Sequence, residues 1–437
     1  MAKYKTIKMM NKKPHISIAF IGGTDSGKSI LINQICKLRP WEFWNYMGNT
    51  IEKIDTFLEF TYDREKFCHE YGSLYTVNFS LYHLETDKHH FTLIDTPSRG
   101  DLAENIITGI ALADYAILVG PSEKKMFNQM TRKNTYYSYL ACAMGVEQKI
   151  VCVNQIENVP NSSSESDFEN IKLELTKTLN KIDSSLESIL FIPTSGLKNI
   201  NIINSSPDLF WYKGPNLFEA ILNLNEPQRN TESPLRIIVS QVFNINGFGR
   251  NISGRIVSGT LRSGQAVTIA PSGISGFVEY IEIFEEETEI AYAGDIVELC
   301  VTNLDSSVRK GSVISDTQNY PAKRCESFSA EICIVDVPGT IIPGYCPDVR
   351  IHAAQVSCRF EILLKTFDSE TGAILEENPD CLRSNNYALV VMAPLEPLCV
   401  ETYAEYPKLG SLVICDKRRI IAIGKIREVF KQEIAEI

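Results

Sequence analysis

The chain has 437 residues, 44% of them apolar and 22% charged, and a net charge of -11. That length exceeds what one hydrophobic core organises, so two or three domains are expected. No apolar run of about 18 residues suggests a membrane span. The acidic balance excludes strong non-specific attraction to nucleic acid, so any RNA contact must come from a local basic patch. The cysteines form no Cys-x-x-Cys pair, which reads as reduced thiols in the cytoplasm and not as disulfides or zinc ligands. The Lys-rich start, Met1 to Lys13, leads into an apolar stretch broken by Gly22, Gly23 and Asp25, and does not read as a signal peptide.

From His15 to about Leu224, strand-like runs at 16–21, 91–94, 115–119, 149–153 and 189–193 alternate with helical stretches at 29–38 and 171–182. Ile171, Leu175, Leu179 and Ile182 share one helix face. Alternation of this kind predicts a parallel, doubly wound α/β sheet. After Pro234 the pattern shifts to β-branched runs divided by glycines, at 235–242, 251–256, 265–269, 277–283 and 295–301. A second all-β stretch follows, with runs at 328–335, 348–351, 387–392, 398–402 and 420–426. The expected architecture is an α/β domain at 1–232 and two antiparallel β-barrels at 233–324 and 325–437.

The strongest signal is Gly22-Gly23-Thr24-Asp25-Ser26-Gly27-Lys28-Ser29, set directly between a strand-like and a helical run. Its glycines let backbone N–H groups curl around phosphates, Lys28 supplies a point charge, and the Ser29 hydroxyl reaches Mg²⁺. Asp95 closes the 91–94 run and suits Mg²⁺ held through water; alone it would read as a turn or cap residue. Thr76 is a candidate to complete the Mg²⁺ shell, although by itself it is a strand threonine. Asn154, and Ser195-Gly196-Leu197, close two further runs where ligands enter open α/β sheets. Taken singly, each reads as a turn.

In that order, the phosphate loop, Thr76, Asp95-Thr96-Pro97, Asn154 and Ser195-Gly196 resemble the five guanine-nucleotide motifs of translational GTPases. Other segments resemble the elongation factor 1-alpha family and extend the likeness over essentially the whole chain: Thr50-Ile51-Glu52-Lys53, Trp211-Tyr212-Lys213-Gly214-Pro215, Ser233-Pro234-Leu235-Arg236, Gly344-Tyr345 and Tyr406-Pro407-Lys408-Leu409-Gly410. The resemblance implies a P-loop GTPase domain and two β-barrels, GTP/GDP with Mg²⁺, and a monomer that delivers aminoacyl-tRNA to the ribosome and works with a nucleotide exchange factor. It implies Asn154, Gln155 and Glu157 at the guanine, with Ser195, Gly196 and Leu197 closing over it. Glu282, Phe284 and Arg255 of the first barrel, with Lys417 and Arg418 of the second, would face tRNA. Release and ribosome-rescue GTPases share these domains and carry a protein instead, so fold alone does not separate the jobs.

Several residues depart from the family. Its third motif reads Asp-Ala-Pro-Gly-His, where this chain has Asp95-Thr96-Pro97-Ser98-Arg99. Ser98 brings a Cβ and a φ restriction to a hinge that is glycine in the family. Arg99 replaces the histidine that orients the attacking water and cannot accept a hydrogen bond from it. Either Arg99 stabilises phosphate charge as an arginine finger does, or hydrolysis is slow; slow hydrolysis is the expectation. Asn-Lys-x-Asp becomes Asn154-Gln155-Ile156-Glu157, which weakens guanine discrimination. Leu74-Tyr75 replaces Gly-Ile before Thr76, and Ile296 replaces an asparagine after Gly294-Asp295. Glu285-Glu286-Glu287 would repel phosphate if it faced RNA, and is harmless as a solvated turn. Lys417-Arg418-Arg419 reads equally as a tRNA contact or a solvated turn.

Overall fold

The computed structural model describes residues 13–37, 79–98, 103–123, 136–160, 164–182, 189–245, 249–284, 286–368, 371–417 and 419–431. Thr76, Arg99 and Arg418 lie outside them, as does the 50–53 segment.

The first domain is built on a sheet of β1 (His15–Ile21), β2 (Ser80–Glu85), β3 (His90–Asp95), β4 (Tyr115–Pro121), β5 (Glu147–Asn154) and β6 (Leu190–Pro193), ordered β2-β3-β1-β4-β5-β6. All run parallel except β2, an antiparallel edge strand. β1 and β4 are buried along their whole length, as strands covered by helices on both faces must be. Alternation along β1 splits its side chains between two cores. Ile16, Ile18 and Phe20 meet Leu31, Ile32 and Ile35 of α1 (Lys28–Cys36). Ala19 and Ile21 instead meet Ile106, Ile107 and Ile110 of α2 (Ala103–Ala111), Leu140 of α3 (136–143), and Ile171, Leu175 and Leu179 of α4 (Ser164–Ile182). α5 (Leu217–Leu222) starts on a capping box: Asn216 Oδ1 accepts from the Glu219 N–H at 2.9 Å, and the Glu219 carboxylate accepts from the Asn216 N–H at 3.1 Å.

The first barrel comprises β7 (Arg236–Ile245), β8 (Gly249–Ser258), β9 (Thr260–Arg262), β10 (Ala266–Ala270), β11 (Ile274–Ile283), β12 (Glu286–Thr288), β13 (Ile290–Tyr292), β14 (Ile296–Val301) and β15 (Val313–Asp316). Its ring runs β10-β15-β7-β8-β14-β11 and closes where β11 pairs with β10. The second comprises β16 (Cys325–Ile334), β17 (Asp348–Ile351), β18 (Ala354–Phe367), β19 (Ile374–Glu377), β20 (Tyr387–Pro394), β21 (Ser411–Asp416) and β22 (Arg419–Lys431). That ring runs β17-β21-β22-β16-β20-β18 and closes through β18 and β17. Closure leaves no open edge in either ring. The strand expected at 398–402 is not a regular one: Leu398 makes an isolated bridge to Cys325, and the segment is buried by packing without a ladder of its own.

The domains are joined by buried charge and by shared apolar core. Arg236 on the first barrel is wholly buried; its guanidinium donates to Glu401 Oε1 of the second barrel at 3.0 and 2.8 Å and lies over the rings of Tyr320 and Tyr406. Asp114, just before β4, receives Arg229 at 2.6 and 2.9 Å and also Arg255 of the first barrel. Beside it, Lys408 of the second barrel donates to the Ala113 carbonyl at 2.6 Å. Burial works to raise the Asp114 carboxyl, but Arg255, Arg229 and Lys408 together hold it well below the usual carboxylate range. Val413, Cys415 and Ile420 of the second barrel pack into the same core as α2 and α3.

Candidate functional site

Residues 22–29 form the corner between β1 and α1, at the carboxyl end of the sheet. Two glycines are required there by geometry. Gly22 (φ +149°) would place a Cβ 2.2 Å from the Val119 carbonyl oxygen, and Gly27 (φ +91°) would place one 2.2 Å from Asn154 Nδ2. Lys28 is buried, and its ammonium donates to the Gly22 and Gly23 carbonyls at 3.0 and 3.2 Å. Burial pushes Lys28 down to about 8, with Asp95 and Asp25 opposing; an arriving anion would favour its charged form. Parallel pairing sets Asp95 opposite Phe20 at the end of β1. Ser29 Oγ, on the exposed side of α1, donates to Asp95 Oδ2 at 2.6 Å. A hydroxyl and a carboxylate brought together at a solvent-facing corner are hard oxygen donors of the kind Mg²⁺ takes.

The other end of the site is drawn together by Asn154. Its Nδ2 donates to the Ser26 carbonyl at 2.8 Å, and its Oδ1 accepts from the Gly196 N–H at 3.0 Å and from Thr194 Oγ1 at 3.2 Å. Both ends of this amide thus tie the phosphate loop to the 195–197 turn, at the position where the resemblance puts a guanine contact. Gln155 (φ +66°) donates through Nε2 to the Asp25 carbonyl at 2.8 Å, a second strap onto the loop. Ser195 Oγ accepts from the Lys198 N–H at 3.0 Å, Gly196 O accepts from Gln34 at 2.9 Å, and Leu197 is 72% exposed beside them. Both carboxylate oxygens of Glu157 are buried and have no hydrogen-bond partner among the described residues.

After β3 the Ser98 carbonyl accepts from the Tyr137 phenol at 2.7 Å and from Thr24 Oγ1 at 3.4 Å. The sequence offered no signal for Tyr137, an aromatic residue in an apolar helix. Asp114 and Arg229 were equally silent, because their partners lie far along the chain.

Two of the candidates for tRNA contact lie against the first domain. Arg255 is 1% exposed, and its guanidinium is engaged by Asp114 and the Leu112 carbonyl. Phe284 (φ +52°) packs edge-on to His15 and His83, with centroids at 4.9 and 4.5 Å, and stacks on His90 at 5.1 Å, sealing the first barrel to β1–β3. Glu282 faces outward, paired across strands with Glu287 on one side and Glu298 on the other. Burial and Glu287 raise its carboxyl. Lys417 is exposed at the β21–β22 turn. Among the described residues the cysteines are free thiols, and no helix is long and apolar enough to cross a membrane.

Residues 13–227 match the elongation factor Tu GTP-binding domain, and residues 327–427 match the GTP-eEF1A C-terminal domain-like family. Elongation factor 1-alpha of Blastocystis hominis is 35% identical over 435 residues, spanning 97% of this chain and all of that protein. The Saccharomyces cerevisiae protein of the same name is 32% identical over 451 residues, spanning 98% and 97%. Among solved structures, the GTPase-like domain of S. cerevisiae Ski7 bound to GTP superposes with a TM-score of 0.70 at 18% identity, covering 95% of this chain and 97% of that one. The elongation factor SelB of Methanococcus maripaludis gives a TM-score of 0.68 at 18% identity, over 97% and 80%. These two likenesses concern the fold, whereas the sequence relatives reach further: the chain belongs to the elongation factor 1-alpha family of translational GTPases.

Proposed function

We propose that this chain is a guanine-nucleotide-binding translation factor with slow GTP hydrolysis, acting as an elongation factor 1-alpha-like carrier of aminoacyl-tRNA to the ribosome. The observation that carries the nucleotide reading is Glu157. Two buried carboxylate oxygens without donors are costly in a protein interior, and the N1 and N2 hydrogens of guanine are the donors they suit. Phosphates would lie on the 22–29 amides and Lys28. Ser29 and Asp95 would hold Mg²⁺, which when bound supplies charge neutralisation between phosphates. Slow hydrolysis follows from Arg99 and Ser98: a guanidinium cannot accept a proton from water, and Ser98 is held by Tyr137.

A second reading is a slow or non-hydrolysing adaptor that partners a release or rescue factor. It is supported by the first barrel, where Arg255 is buried in a domain seam, Phe284 packs against the histidines of β1–β3, and Glu298, Glu282 and Glu287 stand side by side. Carboxylates so placed repel a phosphate backbone. Calorimetry with GDP and a non-hydrolysable GTP analogue tests nucleotide binding, and absence of any binding ends that reading. Single-turnover hydrolysis with and without ribosomes tests the rate, with brisk ribosome-dependent turnover counting against both slow readings. Retention of aminoacyl-tRNA, or of a release-factor-like protein, on the immobilised chain decides the cargo.

A further inference from the structure

The segment after β3 carries the departure from the family at Ser98, and both groups that hold it are visible. Thr24 belongs to the phosphate loop and Tyr137 to α3, and each donates to the same carbonyl oxygen, at 3.4 and 2.7 Å. Lys28 lies on the Gly22 and Gly23 carbonyls, and Ser29 meets Asp95 close by, so residues 22–24 mark the terminal-phosphate end of the loop. The contact from Thr24 to Ser98 therefore spans the side of the loop into which a third phosphate extends. What faces that side is a carbonyl oxygen, the negative end of a peptide dipole.

Tyr137 cannot follow a moving loop. Its side chain is 3% exposed in the core that joins α2, α3 and the second barrel through Ile106, Leu140, Val413 and Cys415. The neighbouring Tyr136 ring stands edge-on at 5.5 Å, and Arg350 of that barrel lies close to it. A donor fixed in this way fixes its acceptor. Turning the peptide planes of this segment so that an N–H faces an added phosphate breaks the Tyr137 bond, and the Cβ of Ser98 narrows the conformations by which the backbone could escape.

We propose that Tyr137 is a specificity-determining residue of the nucleotide site, whose phenol holds the Ser98 carbonyl in place and tilts the site toward a nucleoside diphosphate over the triphosphate. This deepens the nucleotide reading above and rests on it. The test is calorimetry of the full chain with GDP and with guanosine 5′-imidotriphosphate, Mg²⁺ present, for wild type and Tyr137→Phe. The phenylalanine variant is expected to bind GDP as wild type does, while the ratio of triphosphate to diphosphate affinity rises about five-fold, the worth of one hydrogen bond. Thr24→Val removes the longer contact and should move the ratio in the same direction by less. It stands as the test if Tyr137→Phe does not fold. A wild type that binds both nucleotides, with the ratio unchanged in the folded variant, overturns the role of Tyr137 and leaves the nucleotide reading intact. A wild type that binds neither overturns both.

Discussion

Two buried carboxylates in this molecule have opposite surroundings. Asp114 sits where the three domains meet, with two arginines on its oxygens and a lysine beside it. Glu157 has both oxygens buried and no partner among the described residues. A buried charge is tolerated when it is paired and hydrogen-bonded, and is expensive otherwise. Asp114 therefore reads as a joint, complete within the chain, while Glu157 is the carboxylate for which the proposed function supplies a donor.

The contrast can be broken most forcefully at the joint. Asp114→Ala leaves Arg255 buried without its carboxylate and is expected to lower unfolding stability by about 3–5 kcal/mol; a thermal midpoint close to wild type would show that the guanidinium finds other partners. At the phosphate end, Lys28→Met removes the charge that an anion would meet. Nucleotide affinity should fall by about 3 kcal/mol, or more than 100-fold, in calorimetry. Wild-type affinity in that variant would move the anchor elsewhere.

Glu157→Gln sharpens the comparison because its two effects have opposite sign. Removing an unpaired buried charge should stabilise the chain without nucleotide by about 1 kcal/mol. The same change should weaken GDP binding by about 1–3 kcal/mol, and weaken inosine diphosphate, which lacks the N2 donor, by less. A fall in both stability and affinity would mean that Glu157 has a partner in the folded chain.

A last test concerns a buried group that stays neutral and whose effect is spread over a range of pH. His352 is wholly enclosed, its Nε2 lies 3.0 Å from the Cys399 carbonyl, and burial pushes its pKa down to about 4, with that carbonyl pulling the other way. Below an unfolded pKa of about 6.5 the unfolded chain binds a proton that the folded chain refuses. Stability should thus fall by about 1.4 kcal/mol per pH unit from about pH 6.5 toward 4, and this group adds no slope above that window. His352→Asn, which keeps a residue tolerant of the observed φ of +45°, should flatten that part of the acid melting profile; an unchanged slope would assign it to other groups.

The phosphate loop was legible in the sequence because its signal is a backbone requirement: Gly22 and Gly27 occupy conformations that other residues resist, at fixed distances from Lys28 and Ser29. Most barrel strands were legible for a related reason, since alternation and glycine turns are local. β18, the long strand Ala354–Phe367, was obscured by Arg359 and Glu361, which point outward and pair with each other. The run at 398–402 has a strand's apolar pattern because it is buried, although only Leu398 makes a bridge. Arg255 could not be placed from its neighbours, because an arginine on a strand looks the same whether it faces solvent or an aspartate 141 residues away. The role of Asn154 was half legible: its position at the end of β5 was expected, but its partners, the Ser26 carbonyl, the Gly196 N–H and the Thr194 hydroxyl, are brought in by the fold.

The Arg236 clamp has a mechanical consequence. A guanidinium held by Glu401 and lying over the rings of Tyr320 and Tyr406 cannot leave them without stranding an unpaired charge inside the protein, a penalty of several kcal/mol. The two barrels are therefore joined to each other through one buried charge pair, and the first barrel is joined to the sheet domain through a second, the Asp114 cluster.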